Sequence, residues 1–568
     1  MSARTCLTRS LALLGTLSLL AASGCAQGGT SPTATTPPGD LPSTGWVAAD
    51  RDDLADGGIL RLAVDALPAT YQVYSASSLS ADDVMIARLY LPSFVRLTED
   101  GGWTADPDYA TQVTLRSTDP QVVQVRINPD AVWSDGTPIT VEDVAATWQA
   151  LSGADPAYAV GSTTVWRDVE AVTAGEDERD VLIRFARVNA DWPTALGLFY
   201  PRWALDTPDR FEAAWAHGPM AADGAAYVSG GPFVVSSIDD DAKVLTLQRN
   251  PSWWGDTPKL GTVVLTAVSR SGLAQAFANR ELDAVDLYSD TDAYRIAQSR
   301  DDALILRSQG SRFRNLTLNG LSPHLSDVRV RQALALSLDR EVLARAVLDG
   351  VGSQVQTQGN MFFVAGQQGY VDHVTPLLDG GVERARELLT EAGYDVSGPV
   401  ATKDGEPLTV RFVIPSGIRA SSSVAQLVAQ QAGRAGFDVT IEAVPAETFF
   451  GSYVNTEARA FDVAYFSWEG EAFPIAGREA FFYPADSPWN LPGVTEQSLG
   501  SMWQRANAEL DPEARVHLAN EIDERLVGMF TVIPLFSEPT VWGATSTLRN
   551  YGPAQLETVR WQDVGFTR

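Results

Sequence analysis

The chain has 568 residues, the length of about three to four average domains. Hydrophobic residues make up 45% of it and charged residues 20%, as in ordinary globular proteins. Acidic residues outnumber basic residues by 71 to 42, and the resulting net charge of −29 argues against binding to nucleic acids. Both cysteines, Cys6 and Cys25, lie near the amino terminus. This excludes a disulfide framework, a cysteine zinc site and a catalytic thiol in the later sequence.

The first 25 residues have the pattern of an export signal. Arg4 and Arg9 form a basic segment, and a mainly apolar stretch follows at residues 11–22. A helix of that length is too short to cross a hydrocarbon core of about 30 Å. The stretch ends in ASGC (22–25), which resembles a bacterial lipobox, a motif in which cleavage precedes the cysteine and the thiol then carries diacylglycerol. The resemblance implies a signal peptide over residues 1–24 and lipidation at Cys25; an ordinary secretory signal with an incidental cysteine is the alternative.

Residues 25–49 are expected to form the lipid anchor and a flexible tether. The stretch GGTSPTATTPPGD (28–40) consists almost entirely of glycine, serine, threonine and proline, which supply little apolar surface for a core. No later segment has about 18 consecutive apolar residues, so the sequence predicts no further passage through a membrane. The pattern favours a soluble body held outside the cell membrane.

Beyond the tether, strand patterns alternate with helix patterns. Residues 59–64 (ILRLAV) are typical of a buried strand, and residues 123–127 alternate in polarity as a half-exposed strand does. A helix is predicted to begin after Ser326 or Asp327. Its apolar stripe consists of Val330, Leu334, Leu338 and Val342.

Two further helices and a strand complete the pattern. Apolar residues at helical spacing occupy residues 382–392 and stop at Gly393. A helix near Ser421 leads to an alternating strand at residues 437–441. This succession predicts an α/β fold with mixed sheets in more than one lobe.

Five segments resemble, in the same order, the peptide-type solute-binding proteins of ABC importers, the family that binds dipeptides, oligopeptides and nickel. They are residues 57–75 (GGILRLAVDALPATYQVYS), 132–148 (VWSDGTPITVEDVAATW), 230–260 (which begin with GGPFVV and end with LTLQRNPSWWGDTPKL), 325–340 (LSDVRVRQALALSLDR) and 385–394 (ARELLTEAGY). Each segment also has an ordinary structural explanation, such as the turn residues Asp135-Gly136-Thr137-Pro138. Their common order over most of the chain makes the resemblance specific.

The resemblance implies a periplasmic-binding-protein-like fold of type II (cluster C), with two lobes joined by hinge strands and one inserted domain. Domain I is expected at residues 50–75, 183–304 and 530–568, domain II at residues 76–182, and domain III at residues 305–529. Such lobes close around a ligand by a hinge motion, and the closed form is what a membrane permease recognises.

The resemblance also indicates where a ligand binds, on loops between the lobes. In peptide-binding relatives one such loop reads G-W-x-A-D-Y-x-x-P, and its acid pairs with the α-ammonium group of the peptide. Trp468 matches the tryptophan and Glu471 the acid, whereas Ser467 replaces the glycine. Phe473 precedes the proline, which comes one residue earlier than in the relatives. A solvated surface acid is the alternative role of Glu471.

Four aromatic residues are further candidates for a ligand pocket: Tyr71, Tyr74, Phe362 and Phe363. Flat rings cover varied side chains or sugars without demanding one geometry, although each of these residues also suits a hydrophobic core. Arg312 and Arg314 are weaker candidates, since a guanidinium binds a carboxylate through two hydrogen bonds.

Motifs for catalysis and metal binding do not occur in the sequence. It has no G-x-S-x-G elbow, no phosphate-binding loop and no H-E-x-x-H motif, and its four histidines are isolated from one another. We therefore expect a protein that is not an enzyme, with no catalytic residues, no metal site and no cofactor.

These features predict a lipid-anchored extracytoplasmic protein on the cell membrane that captures peptides between two lobes and delivers them to an ABC permease. We expect a monomer whose partners are a peptide or other small solute, the permease and the membrane. One alternative is a scaffold or regulatory lipoprotein of cell-envelope glycolipid metabolism, since some actinobacterial relatives are associated with mannolipid synthesis. The other is a binding protein for a sugar or a metal complex. The short loop at residues 467–474 is compatible with the envelope alternative.

Overall fold

The computed structural model describes residues 41–78 and 80–568. The predicted signal peptide, the lipidation site Cys25 and residues 25–40 of the tether lie outside these ranges. Within the described ranges, the helices are too short or too polar to cross a membrane.

The secondary structure follows the predicted alternation of strands and helices. The strands are β1 (Ile59–Val64), β2 (Val95–Leu97), β3 (Trp103–Ala105), β4 (Ala110–Thr118), β5 (Gln121–Ile127), β6 (Val169–Ala174), β7 (Asp180–Phe185), β8 (Phe233–Asp239), β9 (Val244–Arg249), β10 (Thr262–Ala267), β11 (Ala284–Asp286), β12 (Ala303–Leu318), β13 (Thr402–Lys403), β14 (Glu406–Pro407), β15 (Thr409–Pro415), β16 (Asp438–Val444), β17 (Val463–Glu469), β18 (Val532–Thr545), β19 (Leu548–Arg549) and β20 (Gly565–Phe566). The α-helices are α1 (Ala81–Ala87), α2 (Val141–Leu151), α3 (Pro208–Ala213), α4 (Leu273–Ala278), α5 (Thr291–Gln298), α6 (Val328–Leu336), α7 (Arg340–Leu348), α8 (Gly381–Glu391), α9 (Arg419–Ala435), α10 (Pro474–Phe482), α11 (Ser498–Ala508) and α12 (Pro512–Gly528).

The apolar stripe predicted from Val330 to Val342 does not belong to one helix. It runs over α6 and α7, because Asp339 begins a second helix by accepting the backbone N–H of Val342 at 3.1 Å. A carboxylate that satisfies the free N–H groups of a first turn favours such a start. Val342 is consequently 40% exposed instead of buried. The other predicted elements, β1, β5, α8, α9 and β16, are confirmed within a few residues.

Three sheets of four or more strands organise the described residues. One has the order β1-β10-β9-β8, with β1 and β10 parallel, and another has the antiparallel order β4-β5-β7-β6. The third has six strands in the order β11-β18-β12-β17-β15-β16. Its two long antiparallel strands, β12 and β18, have 16 and 14 residues and pair with β11 at one end and β17 at the other. We call β12 and β18 the crossing strands.

The hydrophobic cores define two lobes. In the first lobe, the two four-stranded sheets share one core that includes Leu60, Val125 and Leu247. In the second lobe, α6–α9 cover one face of the six-stranded sheet, whereas α10–α12 cover part of the other face. The crossing strands join the lobes, so the predicted two-lobed α/β architecture is confirmed; the residue boundaries of its domains stay a prediction.

The crossing strand β12 bends where it leaves the second lobe. Its register with β18 shifts between Ser308 and Arg312, and Gly310 lies there with φ +73°. A Cβ atom on Gly310 would lie 2.4 Å from the backbone oxygen of Glu538, so only glycine fits this bend. The backbone oxygen of Pro42 accepts the N–H of Gln309 at 2.9 Å. The first described residues of the chain therefore lie beside the bend.

The lobes also touch each other directly. Arg515, on α12, lies 2.5 Å from the carboxylate of Asp191 in the first lobe, and both side chains are nearly buried. The backbone N–H of Ala190 donates to the carbonyl of Asn507 at 2.9 Å. The lobes are therefore in contact outside the crossing strands as well.

Candidate functional site

The candidate site lies at one edge of the second lobe. Strand β15 runs parallel to β16 and to β17, so the carboxyl ends of all three strands meet at this edge. Ligands of open α/β sheets bind beside such an edge. The loop that follows β17 carries the predicted site residues, and β12 leaves for the first lobe at the same place.

The two faces of β17 differ completely at this end. Ser467 lies opposite Arg314 on β12, and Glu469 lies opposite Arg312, so these four polar residues share one face. Trp468 lies opposite Phe313 on the other face. The residues predicted as one contiguous ligand loop therefore have different surroundings.

Trp468 belongs to the core of the second lobe. It is 8% exposed, and the centroid of its ring system lies 5.9 Å from that of Phe313 and 5.6 Å from that of Phe482. The guanidinium carbon of Arg478 lies 4.9 Å from the ring centroid, within the range of a cation–π interaction. Trp468 packs into this core at the start of the loop, and its contact with a ligand stays a prediction.

Glu471 is exposed and lies over the start of α10. Its carboxylate comes within 3.3 Å of the space that a Cβ atom on Gly477 would occupy. Arg478 is buried nearby. Burial lowers the pKa of its guanidinium, whereas the negative charges of Glu471 and Glu469 act to raise it. Phe473, half-buried, immediately precedes α10. This part of the loop therefore presents an acid next to a buried cation.

Glu469 is an acidic residue that the sequence analysis did not single out. It is the last residue of β17, and its side chain is exposed. Its carboxylate accepts a hydrogen bond from the hydroxyl of Ser311. Burial raises the pKa of Glu469, while Ser311 and Arg312 act in the opposite direction. The alternation of side chains along residues 461–469 is the signal that places Ser467 and Glu469 on one face.

Arg314 is committed to an internal ion pair. Its Nη2 donates to Oε1 of Glu538 at 2.9 Å, its Nε lies 2.9 Å from Oε2, and Glu538 is 2% exposed. Ser467 donates to the same carboxylate at 3.3 Å. Burial favours the neutral acid, but Arg314 and Arg312 outweigh it and hold the pKa of Glu538 below its usual value. Arg314 and Ser467 thus link β12 and β17 to β18 through the carboxylate of Glu538.

Arg312 has a different environment at the edge of the first lobe. Its nearest carboxylate, Asp286, lies 3.6 Å away, and its guanidinium carbon is 5.5 Å from the ring centroid of Tyr288. A second guanidinium, that of Arg270, lies 3.8 Å from the same centroid. Tyr288 follows β11 and Arg270 follows β10, so segments from different strands bring two cations next to one aromatic ring.

The four predicted aromatic residues all lie in or against hydrophobic cores. Tyr71 is 3% exposed in the first lobe, where Tyr74 is half-buried and donates its hydroxyl to the carbonyl of Leu198 at 2.6 Å. Phe362 and Phe363 are buried in the same core as Trp468. Burial raises the pKa of both tyrosines. Contact of these four residues with a ligand stays a prediction.

A loop at residues 358–374 supports the site from the side of this core. Gln367 donates to the backbone oxygen of Glu471 at 3.0 Å, and the N–H of Gln368 donates to the carbonyl of Asp100 in the first lobe at 3.2 Å. His373 anchors the loop, because its Nδ1 lies 2.6 Å from the buried carboxylate of Asp523 on α12. The loop therefore contacts the site, the first lobe and α12.

The described residues include no group of three or more histidine, cysteine, aspartate or glutamate side chains that is arranged to hold a metal ion.

Comparison with known proteins gives the family. The model of "Bacterial extracellular solute-binding proteins, family 5 Middle" matches residues 104–488, which is most of the chain. The chain is also 33% identical over 523 residues to the oligopeptide-binding protein OppA of Mycobacterium tuberculosis, covering 91% of this chain and 86% of that one. This chain belongs to family 5 of the bacterial extracellular solute-binding proteins. It is thus a solute-binding protein of the ABC importer type.

Other relatives and solved structures are less similar in sequence. The chain is 24% identical to a probable monoacyl phosphatidylinositol tetramannoside-binding protein, LpqW, of M. tuberculosis, over 69% of this chain and 66% of that one. Among solved structures, the periplasmic EDTA-binding protein EppA has a TM-score of 0.83 at 22% identity, covering 94% of this chain and all of that one. The oligopeptide-binding protein AppA of Bacillus subtilis, in complex with a nonapeptide, has a TM-score of 0.71 at 16% identity, covering 91% and 100%. These likenesses confirm the fold predicted from the sequence.

Proposed function

We propose that this family 5 protein captures peptides between its two lobes and delivers them to an ABC permease. The observation that carries the proposal is the acidic loop at the carboxyl edge, in a chain 33% identical to an oligopeptide-binding protein. Glu469 and Glu471 lie two residues apart there, and within the described ranges no basic nitrogen comes within 4 Å of either carboxylate. A peptide α-ammonium group is a cation that such acids bind.

The direct contacts between the lobes support capture by closure. A ligand that contacts both lobes has its full set of contacts only in the closed form, so it increases the population of that form. In such a motion β12 would flex at the bend around Gly310, and the contact between Arg515 and Asp191 would form as the lobes close. We infer that ligand release requires the Arg515–Asp191 contact to break.

Mass spectrometry of the purified full chain tests the peptide part of the proposal. The protein is measured first under native conditions and then after denaturation, so that any retained molecule is released. Released peptides would support the proposal and give the length of the ligand, whereas a sugar or glycolipid mass would contradict it. An empty protein is then titrated with synthetic peptides while tryptophan fluorescence is recorded, and failure of all of them to bind would contradict the proposal.

Paired substitutions test the acidic loop. Glu469→Gln and Glu471→Gln each remove one negative charge and keep the size of the side chain, and Glu406→Gln on the distant hairpin β13–β14 is the matched control. We expect a peptide with a free amino terminus to bind at least about tenfold more weakly to one or both loop variants, and an acetylated peptide to be unaffected. Equal losses for both peptides would argue against recognition of the amino terminus.

We propose further that the protein is held at the cell membrane through a lipid on Cys25. The sequence ASGC at residues 22–25 and the tether after it support this. Metabolic labelling with a fatty-acid analogue tests it: label is expected on the wild-type chain and on Cys6→Ser, and its loss is expected in Cys25→Ser. Label that persists in Cys25→Ser would contradict the proposal.

The envelope alternative has one supporting observation, the 24% identity to the probable tetramannoside-binding protein LpqW. A protein with that role would act on glycolipid metabolism without delivering a solute. Deletion of the gene distinguishes the two: loss of peptide uptake with an unchanged lipid profile supports the importer, and the reverse result supports the alternative.

A further inference from the structure

We propose that Arg270 and Arg312, which flank the ring of Tyr288, bind a carboxylate group of the ligand on the first-lobe side of the cleft. The inference rests on the proposed function for its place in the ligand cleft. It goes beyond that function by naming the chemical group, a carboxylate, at one end of the ligand.

The three residues come together from distant parts of the chain. Arg270 follows β10, Tyr288 follows β11, and Arg312 lies on the crossing strand at its bend. Arg312 is also directly opposite Glu469 on β17, so this cluster continues into the acidic loop of the second lobe. The cluster therefore lies where the two lobes meet along the crossing strands.

The two guanidinium groups have unused hydrogen-bonding capacity. Each carries five N–H donors, yet within residues 41–78 and 80–568 neither side chain donates a hydrogen bond to a protein acceptor. Among the described residues, Arg312 forms one long ion pair, with Asp286 at 3.6 Å, and no carboxylate oxygen lies within 4 Å of Arg270. Arg314 differs, because Glu538 accepts its hydrogen bonds. Arg270 and Arg312 therefore both have N–H donors left for a ligand carboxylate.

Tyr288 fixes the position of these cations. The two guanidinium carbons lie 3.8 and 5.5 Å from its ring centroid, and Asp286 accepts the backbone N–H of Tyr288 at 2.7 Å. Tyr288 and the next residue, Ser289, both have positive φ, +50° and +56°. Non-glycine residues rarely adopt this conformation in succession, and such strain is concentrated at ligand sites.

Carboxylates reach a cleft of this kind from two sources. A peptide has one at its carboxyl terminus, and a metal chelate such as Fe(III)-EDTA has several. Because both present carboxylate oxygens that accept hydrogen bonds from a guanidinium, the structure identifies the group and the test identifies its source.

Isothermal titration of the full chain with three probes tests the inference: pentaalanine, its carboxyl-terminal amide, and Fe(III)-EDTA. Arg270→Gln removes the exposed cation, and Arg295→Gln on α5 is the matched control, since Arg295 is 73% exposed and contacts Asp292 only at 3.7 Å. We expect wild-type protein to bind pentaalanine at least about tenfold more tightly than the amide. Arg270→Gln should remove this difference without weakening the binding of the amide, and Arg295→Gln should retain it.

Each other result has a definite meaning. Equal affinities for the acid and the amide, with Arg270→Gln behaving as the control, would overturn the inference and leave peptide capture intact. Binding of Fe(III)-EDTA alone, lost in Arg270→Gln, would support the carboxylate site and contradict the peptide function. Failure of the wild-type chain to bind any of the probes would overturn both.

Discussion

Near the bend, the two faces of the six-stranded sheet have different surroundings, although their residues alternate along the same strands. One face, through Phe313 and Trp468, packs aromatic rings into the core over α10–α12. The other face carries polar and charged side chains, those of Arg312, Ser467 and Glu469, at the boundary of the lobes. Because side chains alternate along a strand, one segment stabilises its lobe with one face and places polar groups at the lobe boundary with the other. A sequence motif across residues 467–471 therefore mixes core residues with candidate ligand-binding residues.

The largest expected effect is on the aromatic face. Trp468→Ala should lower the free energy of unfolding by about 3–5 kcal/mol, because it removes a buried ring and leaves a cavity. Trp489→Ala is the control, since Trp489 is 61% exposed and its loss should cost about 1 kcal/mol or less. Urea unfolding of the protein without ligand measures both. Equal unfolding midpoints for the two variants would mean that Trp468 is not a core residue.

On the charged face, Glu538→Gln should destabilise the protein by about 3 kcal/mol, because it leaves Arg314 nearly buried without its counter-ion. The pKa of Glu538 is lowered in the folded protein, so its contribution to stability is present above the ordinary glutamate pKa and is lost as the pH falls through the lowered value. Urea unfolding at pH 7 and at pH 3 should show a smaller difference between wild type and variant at the lower pH. A difference that grows toward low pH would contradict this pairing.

A smaller and pH-dependent effect is expected at the loop beneath the aromatic face. The hydrogen bond to Asp523 raises the pKa of His373, and burial raises the pKa of Asp523 to about 6. Both groups thus hold protons more tightly when folded, so their contribution is greatest at low pH and declines as the pH rises through these values. Wild type should lose stability relative to Asp523→Asn between pH 5.5 and pH 8. A constant difference across this range would show that the pair does not titrate.

The smallest effect concerns the contact between the lobes. Arg515→Gln should increase the rate of ligand dissociation several-fold, because it removes the ion pair with Asp191. Stopped-flow measurements compare it with Arg505→Gln, an exposed residue of the neighbouring helix α11. Identical dissociation rates would mean that the contact does not hold the lobes together.

The sequence predicted the fold well because periodicity and family motifs are local signals. The pattern of each element lies within one short segment, of 6 residues for the strand β1 and 17 residues for the helix α9. The break at Asp339 is also a local signal, but the continuous apolar stripe concealed it.

The contacts of the candidate site could be predicted only in part from the sequence, because they join distant residues. Arg270, Tyr288 and Arg312 are dispersed in the sequence, and no periodicity links them. Burial decides the role of Trp468, and a motif does not reveal burial. Arg314 resembled Arg312 as a candidate, but the ion pair with Glu538, more than 200 residues away, separates their roles.

The position of the first described residues has a mechanical consequence. Pro42 contacts Gln309 beside the bend, and Thr44 donates to Glu557 near the carboxyl terminus at 2.6 Å. The chain thus enters the body next to the axis about which the lobes would turn. A point on that axis moves least when the lobes open and close, so a pull on the preceding segment exerts little torque on either lobe. Ligand exchange would then proceed at nearly the same rate whether that segment is slack or taut.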